Sequence, residues 1–176
     1  EDGVEDFYDS DDDGDGYEDA EELAYGSDPR DGSSLANTVP FGLTSLTPLS
    51  LAENQPVGSL VGIFTATDPD ANDTLTYGLV SGVEDMHNSW FALDANGVLR
   101  SSAVFDFENN ASALSVRVRV MDDSNSGVEK AFPVFLTNAV EDLDGDGVED
   151  FYDSDDDGDS YLDVNDDFPN DATEWI

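Results

Sequence analysis

The middle of the chain, between Val39 and Ala139, alternates apolar and polar positions in short runs that are separated by turn residues. A two-residue period is typical of β-strands with one buried face. The clearest run is Leu114–Val120, where leucine or valine occupies every second position and Arg117 and Arg119 fall between them. We therefore predict that the apolar side chains of this run face a core and that its two arginines face solvent.

Seven such runs fall within about 100 residues, a density typical of a β-sandwich. The predicted strands are Leu43–Ala52, Gly58–Thr67, Thr74–Leu79, Trp90–Leu93, Val98–Arg100, Leu114–Met121 and Val128–Thr137. Between two of them, Asp94–Gly97 has the composition of a hairpin turn, with glycine supplying a positive φ. The expected fold class is all-β, an antiparallel sandwich of about seven strands.

The two ends of the chain have a different composition from its middle. The 176 residues include 43 acidic side chains against 5 Lys and Arg, which gives a formal net charge of −38. The two terminal segments, 1–31 and 139–176, carry 15 and 16 of the acidic residues, so the middle keeps an ordinary charge. Blocks of like charge are commonly disordered. The internal order of these segments argues against that interpretation.

A twelve-residue segment, VEDFYDSDDDGD, occurs at Val4–Asp15 and again at Val148–Asp159. Self-similarity at a fixed offset indicates a modular array. The repeating unit would be one acidic segment followed by one middle domain. We expect the sequence, which starts abruptly at Glu1, to be a fragment of a longer chain.

Residues 11–22 fit the calcium-loop pattern D-x-[DN]-x-[DN]-G-x5-E without a mismatch. Carboxylates at alternate positions of a tight loop converge on one point, and calcium takes six to eight such hard oxygen ligands. The predicted ligands are Asp11, Asp13, Asp15, the carbonyl of Tyr17, Asp19 and Glu22, with Gly16 at the sharp turn. Residues 19–25 then predict a short helix that ends at Gly26.

Two further loops follow the middle domain at a 13-residue spacing. The first predicted ligand set is Asp142, Asp144, Asp146, Val148, Asp150 and Asp153, and the second is Asp155, Asp157, Asp159, Tyr161, Asp163 and Asp166. Ser160 replaces glycine at the turn of the second loop, which predicts a weaker site. At the start of the chain, Asp2, Gly3, Asp6 and Asp9 form the back half of one more loop, which we expect to be incomplete.

Electrostatics favours bound cations in these loops. Two carboxylates about 5 Å apart repel by roughly 3 kcal/mol at an effective dielectric near 20, so five cannot converge without a counter-ion. Oxygen-only ligation favours calcium, several ions per chain, over other hard cations. The segments 1–31 and 142–168 resemble thrombospondin type 3 repeats and the EF-hand-like elements of bacterial surface proteins, a resemblance that implies calcium held by loops with little apolar core.

Five motifs lie at the strand ends and turns of the middle domain: Leu51–Gly58 (LAENQPVG), Ala66–Asp70 (ATDPD), Leu75–Tyr77 (LTY), Phe105–Asn109 (FDFEN) and Val118–Asp122 (VRVMD). In this order and spacing they resemble the motifs of a cadherin repeat, most of all those of bacterial cadherin-like domains. The resemblance implies calcium at both ends of the sandwich. Glu53, Asp106 and Glu108 would gather at the C-terminal end, and Asp68, Asp70 and Asp122 would gather at the N-terminal end.

The linkers depart from the cadherin pattern. Asn138–Asp142 runs directly into an acidic loop where cadherins carry DxNDN. The C-terminal site would therefore either take a ligand from Glu141 or Asp142 or be incomplete. The preceding linker, Gly32–Asn37, supplies no carboxylate to the N-terminal site. The predicted organisation is a calcium-loop segment 1–31, a linker 32–40, a cadherin-like sandwich 41–139 and a second calcium-loop segment 140–176.

The expected function is structural and adhesive: calcium would stiffen the acidic segments of a long extracellular protein on a bacterial surface. Its partners would be neighbouring repeats of the same chain and a homophilic partner or a polysaccharide. The alternative is a calcium-dependent carbohydrate-binding module in which Trp90 or another exposed aromatic residue stacks on a sugar. The acidic charge disfavours nucleic acid and anionic membranes, and no membrane insertion is expected. We expect no enzyme, because the single histidine, His87, is interpreted as a surface residue.

Overall fold

The computed structural model describes residues 8–34, 37–70, 73–110 and 113–174. Within them, eight strands form two four-stranded sheets, with the order β1-β3-β6-β5 in one sheet and β2-β8-β7-β4 in the other. The strands are β1 (Phe41–Ser45), β2 (Ser50–Ala52), β3 (Leu60–Thr67), β4 (Thr76–Leu79), β5 (Phe91–Leu93), β6 (Val98–Ser101), β7 (Ala113–Met121) and β8 (Gly127–Thr137). The two sheets form the all-β sandwich that the sequence predicts.

The first predicted strand, Leu43–Ala52, is two strands rather than one. It divides between Ser45 and Ser50, and its halves join opposite sheets. Pro48 lies in the break, where it cannot donate a ladder hydrogen bond. β2 then pairs with β8 in parallel, with Leu51 opposite Leu136, which is the one departure from the antiparallel expectation among the described strand pairs.

The alternation in β7 is confirmed. Leu114, Val116, Val118 and Val120 are at most 2% exposed, whereas Arg117 lies on the outer face and forms an ion pair with Glu129 of β8 at 3.1 Å. Buried residues from both sheets complete a single core, and the aromatic ring of Phe64 packs 4.9 Å from that of Phe132. The core lies between the sheets, so the turns at the two ends of the sandwich are left to carry polar chemistry.

The Asp94–Gly97 turn closes the β5–β6 hairpin as expected. The amide of Gly97 donates to the carbonyl of Asp94 at 3.0 Å, and Gly97 has a φ of +87°. A Cβ at this position would lie 2.9 Å from the carbonyl oxygen of Phe64. Glycine is therefore required here both by the backbone conformation and by the close approach of β3.

The acidic ends contain little regular structure in their described parts. One helix, α1 (Asp19–Tyr25), follows the first loop and ends at Gly26, whose φ of +88° and hydrogen bond to the carbonyl of Glu22 form a left-handed cap. The C-terminal segment contains a single 3₁₀ turn, Asp163–Asn165. Among the described residues, no helix combines the length and the apolar character needed to cross a membrane.

Candidate metal centres

The loop at residues 11–22 holds three carboxylates in one ring through its own backbone. Asp11 accepts a hydrogen bond from the amide of Gly16 at 3.2 Å, Asp13 from that of Asp15 at 3.2 Å, and Asp15 from that of Tyr17 at 2.9 Å. These bonds occupy one oxygen of Asp13 and one of Asp15, whereas Asp11 uses both of its oxygens, because its Oδ1 also accepts from the amide of Gly14 at 2.9 Å. As a result, Asp11, Asp13 and Asp15 each place an oxygen within 4.8 Å of the others.

Glu22 closes this loop from the first turns of α1. Its side chain is fully buried, and neither of its oxygens accepts a hydrogen bond of good geometry. Burial raises the pKa of Glu22, although the nearby hydroxyl of Ser27 offsets part of the rise, and the negative charges of Asp13 and Asp15 raise it further. The inner oxygens Oδ2 of Asp13 and Asp15 are also buried without a partner. Buried carboxylates are normally paired or bound to metal, so this donor set fits a hard cation.

The two C-terminal loops repeat the same backbone network. In each loop, the aspartate at position 1 accepts a hydrogen bond from the backbone amide of position 6. The aspartates at positions 3 and 5 accept from the amides of positions 5 and 7. The corresponding bonds run from Gly147 to Asp142, Asp146 to Asp144 and Val148 to Asp146 in one loop, and from Ser160 to Asp155, Asp159 to Asp157 and Tyr161 to Asp159 in the other. Each loop therefore forms its own group of three carboxylates within 4.8 Å.

The two C-terminal rings differ in burial. Asp157 is only 8% exposed, and inner oxygens of Asp155, Asp157 and Asp159 are buried without partners. Asp144 and Asp146 are exposed. The turn residue of the more buried loop, Ser160, has a φ of +80°, which a non-glycine residue adopts only at a cost. The substitution noted in the sequence therefore places backbone strain in the better-buried ring.

The ninth residue of every loop has a role that the sequence does not reveal. In each case one of its oxygens accepts a hydrogen bond from the amide of the second residue, a contact that closes the loop from behind. The pairs are Asp12 and Asp19 at 2.9 Å, Leu143 and Asp150 at 2.8 Å, and Asp156 and Asp163 at 2.9 Å. Asp19, Asp150 and Asp163 lie outside the tight three-carboxylate groups of the described residues.

The twelfth residues behave differently in the two C-terminal loops. Asp166 keeps a buried Oδ2 without a partner, and its negative charge acts on the neighbouring Asp157, as expected of a closing ligand. Asp153 instead accepts hydrogen bonds from the amides of Ser154 at 2.6 Å and Asp155 at 3.0 Å. One oxygen of Asp153 therefore accepts hydrogen bonds from the backbone at the beginning of the next loop.

At the C-terminal end of the sandwich, Glu53 is the best-fixed carboxylate. It is 1% exposed and accepts hydrogen bonds from the amide of Phe107 at 2.5 Å and from that of Ala139 at 2.7 Å. Glu53, Glu108 and Glu141 each place an oxygen within 4.8 Å of the others. Asp106 is not part of this group; it is exposed and holds the amides of its own turn, at Asn109.

Side chains of the C-terminal segment complete this end of the sandwich. Asn54 donates to Glu141, and Asn138 donates both to Glu108 at 3.0 Å and to Glu149 at 2.9 Å. Burial raises the pKa of Glu108, and the charges of Glu53, Glu149 and Glu141 add to that rise. Glu149, at the eighth position of its loop, is a contributor that the sequence analysis missed.

At the N-terminal end, Asp68 and Asp70 group with Asp73 rather than with Asp122. Burial raises the pKa of Asp73, and the nearby negative charges of Asp68 and Asp70 raise it further. One oxygen of Asp68 and one of Asp73 are buried without a partner. Asp122 is 4% exposed and accepts from the side chain of Asn37 at 3.0 Å, so the linker contributes an amide where it lacks a carboxylate.

Three other predictions concern residues away from these groups. Of the N-terminal half-loop, Asp2, Gly3 and Asp6 lie outside the described residues. His87 is half-buried rather than a surface residue; its Nδ1 accepts from the amide of Ser115 at 3.0 Å, and its ring lies 5.0 Å from that of Trp90. The half-buried Trp90 also packs against the core residue Phe105. These contacts make Trp90 part of the edge of the core.

The fold and its acidic ends together define a β-sandwich module with clusters of carboxylates at its two ends and in the flanking loops. Residues 47–134 match the family model for the cadherin domain, and residues 11–32 match that for the bacterial TSP3 repeat. The cadherin match covers half of the chain, and the chain belongs to the cadherin domain family. Domains of this family are extracellular, calcium-binding adhesion modules rather than enzymes.

Parts of the chain are similar to individual cadherin-related proteins. The mouse cadherin-related family member 2 is 32% identical over 118 residues, which make up 59% of this chain and 8% of that protein. Human protocadherin-24 EC1-2 is 26% identical over 62% of this chain and 46% of the other, with a TM-score of 0.46. Drosophila N-cadherin EC1-3 is 18% identical over 59% and 35%, with a TM-score of 0.47. The chain thus spans only a small part of its curated relative.

Proposed function

We propose that this chain is a calcium-stiffened structural and adhesive unit of a longer bacterial surface or secreted protein. Its four parts would be the loop segment 1–31, the linker 32–40, the sandwich 41–139 and the loop segment 140–176. Calcium would fold the acidic segments into defined loops and join them to the sandwich. The bacterial TSP3 repeat at one end supports a bacterial source for the whole array.

The observation that carries the proposal is the set of buried carboxylate oxygens without hydrogen-bond donors. They belong to the first and last loops and to the N-terminal end of the sandwich, where they are shielded from solvent. The loop at residues 142–153 has a group of three carboxylates of its own, but its oxygens are not among the buried ones. Like charges at such separations repel by several kcal/mol unless a cation lies between them. Calcium meets this need with oxygen ligands alone, and millimolar extracellular calcium saturates even weak modules of this kind, with Kd values of about 10⁻⁴–10⁻³ M.

The C-terminal end of the sandwich is where calcium would act on the shape of the whole unit. Glu53 and Glu108 belong to the sandwich, whereas Glu141 and Glu149 belong to the segment that follows it. A cation among them would tie the two parts together and fix the direction in which the chain leaves the sandwich. In this way, the acidic loop segment would take the place of the DxNDN linker.

The test combines calcium titration with a measurement of shape. The full chain, stripped of metal and titrated with calcium by isothermal calorimetry, should bind several ions. Small-angle scattering should show that a chelator expands the molecule and that calcium restores its dimensions. Unchanged dimensions over the full titration, or fewer ions than the three loops require, would refute the proposal. The glycan alternative would require calcium-dependent retention on a polysaccharide; the Trp90 ring is half-buried and packs against Phe105.

A further inference from the structure

β7 is longer than the neighbouring strand that covers the edge it turns away from β8. It runs over Ala113–Met121, but its ladder with β4 covers only residues 118–121. An uncovered strand edge presents unpaired amides and carbonyls, with which another strand can pair. The way in which the chain covers the rest of this edge therefore decides whether the sandwich is closed along one side.

The segment that follows β4 covers the remaining edge with both its backbone and its side chains. The backbone amide of Val80 donates to the carbonyl of Arg117 at 3.0 Å, and that of His87 donates to the carbonyl of Ser115 at 3.2 Å. In return, two amides of β7 donate to side chains. Nδ1 of His87 accepts from the amide of Ser115 at 3.0 Å. Oδ1 of Asn88 accepts from the amide of Arg117 at 2.9 Å.

His87 and Asn88 accept equivalent hydrogen bonds with different chemistry. An amide oxygen accepts whatever the pH, whereas Nδ1 of histidine accepts only while the ring is neutral. Protonation makes Nδ1 a donor, so that it would face the amide of Ser115 with a second N–H group. The hydroxyl of Ser115 lies 3.5 Å from Nδ1 and would accept from the protonated ring, but the amide would still lose its acceptor.

The charged groups around the His87 ring do not hold it in place. Glu84 and Asp85 lie on the same segment, β7 contributes Arg117, and β8 contributes Glu129, which pairs with that arginine. The 3₁₀ turn on the other side of the ring carries no acidic or basic side chain. Neither ion pair of the described residues includes His87. A protonated ring would therefore gain no carboxylate partner in exchange for the lost contact.

The loop held by these contacts, residues 81–86, is exposed and strained. Val83 and Met86 are 77% and 78% exposed. Glu84, between them, has a φ of +65°, a left-handed conformation that costs a non-glycine residue stability. Nη1 of Arg117 donates to the carbonyl of Val83 at 3.2 Å and adds one anchor from the sheet. The loop therefore depends on its anchors to stay against the sheet.

We propose that His87 is an acid-sensitive latch on the β7 edge of the sandwich. While the ring is neutral, the segment 80–88 stays closed on β7. When the ring is protonated, its contact with Ser115 is lost, the loop 81–86 loosens and the edge opens at Ser115. Histidine ordinarily changes its charge between about pH 5 and pH 8, and His87 is the one histidine of the chain. The latch uses no residue of the carboxylate groups, so its failure would leave the calcium proposal untouched.

The test measures amide hydrogen exchange by NMR on the full chain in saturating calcium. Protection factors, which correct for the intrinsic effect of pH on exchange, are compared at about pH 7.5 and about pH 5. The amide of Ser115 should lose protection roughly tenfold on acidification, as expected for the loss of one partly buried hydrogen bond. The amide of Arg117, held by Asn88, is the internal control and should keep most of its protection.

Two variants separate the latch from a general effect of acid. His87→Asn keeps an acceptor near the position of Nδ1 but does not titrate, so the amide of Ser115 should stay protected at both pH values. Asn88→Ala should expose the amide of Arg117 at both pH values and leave the acid-induced loss at Ser115 in place.

Three results would overturn the inference. The first is an amide of Ser115 that keeps its protection in acid, and the second is an equal loss at Ser115 and Arg117, which would indicate general loosening. Both are read from the wild-type chain and need no variant to fold. The third is an undiminished acid-induced loss at Ser115 in His87→Asn, which would assign the pH dependence to another group.

Discussion

The side-chain amide of Asn138, at the exit of the sandwich, donates a hydrogen bond to Glu149 of the first C-terminal loop at 2.9 Å. The same amide donates to Glu108 at 3.0 Å, so one side chain joins two carboxylates that otherwise repel each other. An amide carries no net charge and can only partly offset that repulsion. The junction between sandwich and loop is therefore organised by neutral donors that leave part of this repulsion uncompensated, and under the proposed function a cation would supply the rest.

The first prediction concerns this junction. Glu149→Gln removes one negative charge from the group while keeping the length of the side chain. The calcium-dependent rise in the melting temperature of the sandwich should shrink, by about 4–8 °C if roughly 1 kcal/mol of the coupling is lost. Differential scanning calorimetry with calcium and with chelator gives this difference directly.

The control for this experiment is Glu174→Gln, a change of the same chemistry in an exposed turn far along the segment. It should leave the calcium-dependent rise as in the wild type. An equal loss in both variants would mean that only net charge matters and that Glu149 has no special place at the junction.

The contribution of Glu149 could not have been predicted from the sequence, because the eighth position of a calcium loop carries no ligand in the pattern. Asp73 is different: it follows Asp68 and Asp70 in the spacing D-x-D-x-x-D, and a search for a third carboxylate near that pair would have found it. Asp122 was assigned to the same group because its motif matches the family. Its carboxylate accepts from Asn37, a contact across 85 positions that no local pattern encodes, and its charge also acts on Asp73.

The elements that were predicted correctly are those whose periodicity or turn chemistry is local. The alternation in β7, the hairpin at Asp94–Gly97 and the end of α1 at Gly26 each depend on neighbouring residues alone. The division of the first predicted strand was missed, although Pro48 signals it, because the apolar residues on both sides continue one plausible pattern. The parallel pairing of β2 with β8 depends on which sheet receives the second half, and this is decided by packing across the core.

A second prediction follows from the positive φ of Ser160. The equivalent turn residues Gly16 and Gly147 have φ values of +101° and +95°, which glycine adopts freely. Ser160→Gly should remove about 1 kcal/mol of strain and tighten calcium binding to the last loop roughly five-fold. Calorimetric titration of the full chain should show the change in one class of sites.

The reciprocal variant, Gly147→Ser, should weaken calcium binding to the loop at residues 142–153 by a similar factor. Nothing lies within 4 Å of the Cβ position at Gly147, so the added side chain itself meets no obstacle and only the backbone conformation is tested. Unchanged affinity in both variants would show that the turn conformation does not limit binding.

A third prediction concerns Glu22, which should stabilise the first loop when calcium is bound and destabilise it when calcium is absent. With calcium present, Glu22→Gln removes the closing ligand and should weaken binding to the first loop by at least about tenfold, since even indirect ligand changes commonly cost that much. With chelator, the same variant removes a buried negative charge and should stabilise α1. Helical circular dichroism and calcium titration measure the two effects.

The pH dependence of the protein in chelator should show the same destabilising effect of the Glu22 charge on α1. The pKa of Glu22 is raised in the folded loop, so the folded form binds protons more readily than the unfolded chain does. The stability that protonated Glu22 contributes is fully present below the unfolded pKa of about 4.3. It is lost as the pH rises through the higher pKa of the folded loop. Acidification should therefore increase helicity in chelator, and Glu22→Gln should reduce that increase. The exposed neighbour Glu21 supplies the control, because Glu21→Gln should preserve it.

A fourth prediction separates the stability of the sandwich from that of the loops. Val116 is fully buried opposite Phe132, and its truncation to alanine should cost about 2 kcal/mol of sandwich stability through lost burial and a small cavity. The number of calcium ions bound should not change, because none of the carboxylate groups includes a residue of β7. Asp15→Asn should do the opposite, removing a ring ligand from the first loop while the sandwich melts as in the wild type. The two variants together test whether the core and the cations stabilise different parts of the chain. A shift of the melting transition of the sandwich in Asp15→Asn would show instead that the first loop and the sandwich fold as one cooperative unit.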